Sequence, residues 1–120
     1  MRLTKKIQVK DLDHDRSVIE RLVEENVSGK LDSYLKKYPE GTECVLDVHM
    51  KGNKKGNFSG SVSLMADGQS YRAERDDYKK LDDLVNHLFD HIKEQLSKKW
   101  KGGPGTIRNF LGKMFQKKVV

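Results

Sequence analysis

The stretch that most constrains this chain is 76–100, DDYKKLDDLVNHLFDHIKEQLSKKW. Apolar residues recur at Tyr78, Leu81, Leu84, Val85, Leu88, Phe89, Ile92, Leu96 and Trp100. That three- and four-residue spacing persists for about six turns and predicts one amphipathic helix. Such a stripe must lie on something apolar, so the rest of the chain has to supply that surface. The opposite face is charged and carries His87 and His91. Asp76, Asp77, Asp82 and Asp83 open the stretch, and Lys93, Lys98, Lys99 and Lys101 close it. Acid first and base last complements the helix dipole and leaves the helix with a basic end.

The surface for this helix is readable upstream. In Lys5–Lys10, Ile7 and Val9 alternate with Lys6, Gln8 and Lys10, the pattern of a strand with one buried face. Asp13 or Asp15 can cap the segment that follows, Arg16–Tyr38. Its stripe of Val18, Ile19, Leu22, Val23, Val27, Leu31, Tyr34, Leu35 and Tyr38 predicts a first helix. Gly29 inside it costs roughly 1 kcal/mol against Ala and is expected to mark a close approach to a neighbouring element. Pro39-Glu40-Gly41 stops the helix.

Three further strands are expected. In Thr42–Lys51, Cys44, Leu46, Val48 and Met50 alternate with Val45, Asp47 and His49. Gly52–Asn57, GNKKGN, is a loop with Lys54 and Lys55 at its tip. In Phe58–Ala66, the residues Phe58, Gly60, Val62, Leu64 and Ala66 face one way, and Ser59, Ser61 and Ser63 the other. Asp67-Gly68 is a two-residue hairpin signal, and Gln69–Arg75 turns Tyr71 and Ala73 inward. The order is β-α-β-β-β-α. Only one face of each strand is apolar, so the expected fold is an α/β chain of the two-layer α+β kind. Two helices cover one face of a four-stranded mixed sheet. The first crossover makes strands one and two parallel and right-handed, and the other pairs form an antiparallel meander.

A chain of 120 residues accommodates one such domain. We place it at 1–101, followed by a Gly/Pro hinge at 102–105 and a basic amphipathic tail at 106–120. In the tail Ile107, Phe110, Leu111, Met114 and Phe115 are helically spaced among Arg108, Lys113, Lys117 and Lys118, with Thr106 as cap. A helix of ~14 residues is marginal alone in water, so the tail is expected to order on a partner. Charge is uneven. Residues 1–90 hold 16 Lys and Arg against 17 Asp and Glu, net −1, whereas 91–120 hold 8 against 1, net +7. A basic end on a near-neutral body suits nucleic acid or an acidic membrane surface. No apolar run approaches the roughly 18 residues of a membrane span, and the opening MRLTKKIQVKDLD lacks a secretion signal's apolar core. The lone Cys44 cannot form an internal disulfide. A reducing, cytoplasmic setting is therefore expected.

Catalytic and metal chemistry find little support. His87 and His91 are spaced to share a metal, but Leu88 stands where a metalloprotease needs Glu, and no further Cys/His cluster completes a site. Asp47 and His49 share a strand face without a nucleophile. Cys44 falls on the core face, where thiols pack rather than react. The serine row reads as a solvated sheet face, and GNKKGN precedes no helix, so it is not a phosphate loop. No enzyme activity, metal or cofactor is expected. Lysines are the better candidates. Lys30, Lys36 and Lys37 fall on the first helix, and Lys93, Lys98, Lys99 and Lys101 on the second. With Lys54 and Lys55 and the tail they would form one partly basic surface. Point charges on helices suit a phosphate backbone and carry little sequence information. The aromatic residues fall mostly in the core stripes, so base stacking is not indicated except at Trp100, Phe110 and Phe115.

Two local segments carry a family resemblance. Asp76–Leu84, DDYKKLDDL, resembles the D-x-Y-x-A-I-D-x-L stretch that opens the second helix of the ribosome hibernation-promoting factors, the S30EA-like family of ribosome-associated inhibitors. Tyr78, Leu81, Asp82 and Leu84 match, and Lys80 stands where Ala is usual. Val27–Tyr38, VSGKLDSYLKKY, is similar to the family's V-x-x-K-x-x-K-L-x-x-Y/F through Val27, Lys30 and Tyr38. The element order, the Asp-Gly hairpin and the lengths agree over roughly residues 5–101. The resemblance implies a double-stranded-RNA-binding-like domain that binds rRNA of the small ribosomal subunit between head and body. There it would block the tRNA and mRNA sites and preserve idle ribosomes. Lys30 would be the clearest rRNA contact, with Lys36 at a site that is sometimes basic. The departures are that His87 stands for a family Lys, Asp90 for an Arg, Glu94 for a later Lys and Ser33 for the second Lys of the first helix. An acid facing phosphate is repulsive by about 1 kcal/mol or more when desolvated.

Three readings follow. The first is a monomeric, non-catalytic ribosome-binding translation inhibitor whose RNA contacts are Lys30, Lys36, Lys37, Lys54, Lys55, His87, Lys93, Lys98, Lys99 and Lys101. The second is a divergent paralogue acting on a protein, a ribosomal protein included, or on an anionic membrane surface. Its contact would be the tail residues Ile107, Arg108, Phe110, Leu111, Lys113, Met114 and Phe115. The third, an enzyme or metal protein, would work through His87 and His91.

Overall fold

The computed structural model describes residues 1–12, 16–53 and 55–101, the last of them by its backbone alone. Four strands are present, β1 (Arg2–Lys10), β2 (Glu43–Gly52), β3 (Phe58–Ala66) and β4 (Gln69–Tyr78). Helix α1 is α-helical over Arg16–Asn26, π-helical over Val27–Leu31 and α-helical again over Asp32–Leu35, and helix α2 is Leu81–Lys101. The sheet has the order β1-β2-β3-β4, with β1 parallel to β2 and the other pairs antiparallel. This is the expected two-layer β-α-β-β-β-α arrangement. The registers match apolar to apolar on the helix side: Ile7 with Val48, Val9 with Met50, Leu46 with Leu64, and Val62 with Ala73. Both helices seal that side. Ile19, Leu31 and Leu35 from α1 and Leu84, Leu88, Phe89, Ile92 and Leu96 from α2 are completely buried with Leu46, Val48 and Leu64. Asp67 and Gly68 both take positive φ, 51° and 77°, as a type I′ hairpin requires.

Several boundaries differ from the sequence expectation. Helix α2 begins at Leu81, because Asp76-Asp77-Tyr78 continues β4. A bulge between Phe58 and Gly60 lets Phe58 pair with Tyr78. Asp77, at φ 60°, receives hydrogen bonds from the amides of Asn53 (3.3 Å) and Asn57 (3.5 Å). Only Asp82 and Asp83 lie in the helix's first turn. Gly60 has no room for a side chain, since a Cβ there would sit 2.6 Å from Met50 Sδ and 2.8 Å from the His49 carbonyl. Gly29 is no such place, because a Cβ on it would meet nothing within 4 Å. It lies instead in the π-helical turn.

Helix α1 ends at Leu35 rather than Tyr38. Its last amides tighten, with Lys37 N donating to Tyr34 O (3.1 Å) and Tyr38 N to Leu35 O (3.2 Å). Strand β1 starts earlier than expected, anchored by Arg2 N donating to Thr42 O at 2.8 Å. The expected cap at Asp13 or Asp15 lies outside the described residues, as do the 102–105 hinge and the 106–120 tail with its Thr106 cap.

Candidate nucleic-acid interface

The two helices meet along a polar seam at mid-length. Asn26 occupies a stripe position of α1 and is buried. Its amide donates to Leu22 O at 2.8 Å and to Asn86 Oδ1 on α2 at 3.1 Å. A side chain that competes for the i−4 carbonyl disturbs the ladder, and the π-helical turn begins at the next residue. That turn carries Lys30 toward α2. Its ammonium lies 2.6 Å from Asp90 Oδ1 and donates to Asn86 O at 3.2 Å, leaving the side chain only 25% exposed. The lysine that the resemblance ranks first is therefore held by the acid that stands where the resemblance implies an arginine. Lys36 is likewise paired, with Asp32 at 3.1 Å.

His87 and His91 turn to the other flank of α2. His87 Nδ1 shares a hydrogen bond with the Tyr78 hydroxyl at 2.7 Å, their rings edge to face at 5.4 Å. His91 Nδ1 lies 3.8 Å from Glu94 Oε1. With Arg75 and Asp90 these groups line a shallow hollow of about 230 Å³. The histidines thus face different partners, and among the described residues no group of three or more His, Cys, Asp or Glu is placed to hold a metal. On the open sheet face, Asp47 Oδ1 lies 3.7 Å from His49 Nε2, with Ser61 across from His49 in register. No hydrogen bond among the described residues joins that serine to the imidazole, and Ser61 is buried rather than solvated as the serine row predicts. Burial pushes the Cys44 thiol above its ordinary range and makes it a packing residue.

The far end of the helix pair is different. Trp100 near the end of α2 packs edge-on against Tyr38 just past α1, centroids 5.1 Å apart at 70°. Lys99 Nζ lies 5.0 Å from the Trp100 centroid and 5.9 Å from that of Tyr38. Lys37 Nζ lies 5.8 Å from Trp100 and 5.9 Å from Tyr34. Each contact is worth about 0.5–1 kcal/mol at an exposed site. Among the described residues, none of Lys37, Lys93, Lys98 and Lys99 pairs with a carboxylate. The Tyr38 hydroxyl points inward and is buried with no partner of hydrogen-bond geometry. Burial first, and then the neighbouring Tyr71 hydroxyl, push this phenol well above its ordinary range.

The anticipated single basic surface is therefore divided. Gln95 Nε2 donates to Arg72 O at 2.8 Å, so α2 runs back along β4 and ends near the β3–β4 hairpin. Lys55 sits at the opposite end, in the loop tied through Asn53 to Asp77. Lys54, the Lys101 side chain, and Ile107, Arg108, Phe110, Leu111, Lys113, Met114 and Phe115 lie outside the described residues. The sequence reading did not assign Asn26, Asn86, Tyr34 or Tyr38 to the interface. The available signals were a polar residue in the apolar register of the first helix and two tyrosines one turn apart beside Lys37.

No family model matches the sequence, and no curated protein matches it. Among solved structures, the crystal structure of the Thermus thermophilus Protein Y N-terminal domain superposes with a TM-score of 0.63 at 20% identity. The two share a fold. The match covers 82% of this chain and 98% of the Protein Y chain, so almost nothing of the Protein Y domain lacks a counterpart here. What the two have in common is the scaffold of helices over a sheet. The Lys30–Asp90 pair and the Trp100 cluster are described for this chain alone.

Proposed function

We propose that this chain is a non-catalytic ribosome-binding factor that binds rRNA of the small subunit, inhibits translation and preserves idle ribosomes in the cytoplasm. The observation that carries this reading is the fold shared with nearly the whole Protein Y domain, Protein Y being a ribosome-associated factor. The hibernation-factor matches at Val27, Lys30, Tyr38, Tyr78, Leu81, Asp82 and Leu84 support it, as do the helix-end lysines Lys37, Lys98 and Lys99, which pair with no carboxylate among the described residues. Among the described residues no helix is long and apolar enough to cross a membrane. The test is co-sedimentation of the full chain with purified small subunits across a salt series. Binding that weakens steeply with salt is expected. Failure to co-sediment at low salt would remove the reading.

A second reading draws on one observation. With Lys30 tied to Asp90, the contact that the resemblance ranks first is neutralised, which favours a divergent paralogue meeting a protein or an anionic membrane through 106–120. Deleting 102–120 separates the two readings. Ribosome binding that survives the deletion confines the tail to an accessory role, and loss of flotation with anionic vesicles on deletion favours the paralogue.

A further inference from the structure

A surface that needed only phosphate contacts would need only lysines, and the helix ends hold rings as well. Two ammonium groups, one from the turn just past α1 and one from α2, converge on one indole, Lys37 at 5.8 Å and Lys99 at 5.0 Å from the Trp100 centroid. Such like charges gain when an anion comes between them, and no carboxylate among the described residues does so. The indole is partly buried, and its plane is fixed by edge packing on Tyr38. Its Nε1 is fully covered. A tryptophan that anchors in a lipid headgroup layer offers that N–H to the interface. Here it is the π face that keeps company with cations.

We infer that Trp100, Lys37 and Lys99 form a binding site for single-stranded RNA. An unpaired base stacks on the indole, and the two ammonium groups leave the ring for the phosphates on either side. The inference rests on the RNA-binding reading of the same helix surface and deepens it by naming the nucleic-acid form. Base stacking on an aromatic platform is sequence-tolerant because every base has a π face. Duplex RNA, whose bases are stacked on one another, has no face to offer. The Tyr34 ring on α1 lies 5.9 Å from the same Lys37 Nζ.

Trp100 is the only tryptophan in the chain, so its fluorescence reports on this site alone. The full chain is titrated with a short oligouridylate, with an abasic oligomer of equal length, and with phosphatidylglycerol vesicles. Saturable quenching by the oligouridylate and none by the abasic oligomer is the expected result. Binding of a dye-labelled oligouridylate should fall roughly five- to hundredfold in W100L and stay near the starting affinity in W100F, which retains a ring. K37Q with K99Q should flatten the logarithmic salt slope by about 1.4.

Equal binding of W100L, quenching by the abasic oligomer, or an emission change on vesicles alone would overturn the inference. W100F and the lysine pair leave the core intact, so a folding defect in W100L does not shelter it. The outcomes also separate from those of the ribosome reading. A chain that co-sediments with small subunits without oligonucleotide quenching loses this site and keeps that function. Quenching without co-sedimentation does the reverse.

Discussion

Along the helix pair, charges cancel at mid-length and add at the end. At mid-length Lys30 meets Asp90, and the buried Asn26 donates across the helices to the part-buried Asn86. At the end Lys37 and Lys99 lie over rings, and among the described residues no acid pairs with them or with Lys98. Both regions sit on one scaffold and within a few turns of each other. The difference teaches that a basic count along a helix says little about a basic surface, because each acid across the groove subtracts from it. The middle seam is built to hold the helices together, and the end is left free to meet something else.

The largest predicted effect tests that division directly. Reversing K37E and K98E together should weaken binding to small subunits by about a hundredfold at fixed low salt, whereas K30E should cost less than about fivefold. Sedimentation with purified subunits measures both. Equal losses would erase the distinction between middle and end. Next in size is D90R, which frees Lys30 and installs the residue type that the resemblance implies there. Binding should tighten about tenfold. Unfolding stability should fall by less than about 1 kcal/mol, since the Asp90 side chain is 57% exposed. Unchanged binding in D90R would mean that the middle does not touch RNA at all.

How far the sequence reveals this depends on how far apart the partners lie in the chain. The apolar stripes, the alternation of β2 and the Asp-Gly turn are local, and they give the element order and the covered face. Tyr78 is misleading for a physical reason. It falls on the helical stripe by spacing, yet it is paired with Phe58 through a bulge that nothing near it announces. Its ring still reaches α2, by way of His87. The Lys30–Asp90 contact is harder to read, because it requires the crossing register of two helices and a π-helical turn that no single propensity encodes. Asp90 read as an acid repelling phosphate is, in the fold, the partner of the lysine meant to attract it. The helix-end lysines are legible as charge. Their assembly around Trp100 depends on where α1 stops.

The seam itself carries a smaller prediction. Asn86→Ala removes the cross-helix acceptor of Asn26, which keeps its bond to Leu22 O. A cost of about 1 kcal/mol in urea unfolding is expected. The double substitution to leucine, which removes both polar partners, should recover most of it. A double loss equal to twice the single would show that the two amides do not act as a unit.

The smallest effect probes the dry side of the helix-end cluster, where Tyr38 supports Trp100 with one edge and turns its hydroxyl into the core. Burial raises this phenol above its ordinary range. The unfolded chain, with a phenol near pH 10, therefore gives up its proton first. Stability from Tyr38 is complete below that pH and is lost as pH rises from there toward the folded value. Burial raises the Cys44 thiol with the same sign, so the comparison is made in a Cys44→Ala background. Between pH 8 and 10.5 the tyrosine should contribute a loss of about 0.8 kcal/mol, absent in Tyr38→Phe. The same pH step in W100F separates support from chemistry. If the ring contact alone kept the hydroxyl dry, the loss would shrink with the indole gone. If the core around Tyr71 does so, it persists, and the aromatic platform then rests on a base that does not depend on the ring it carries.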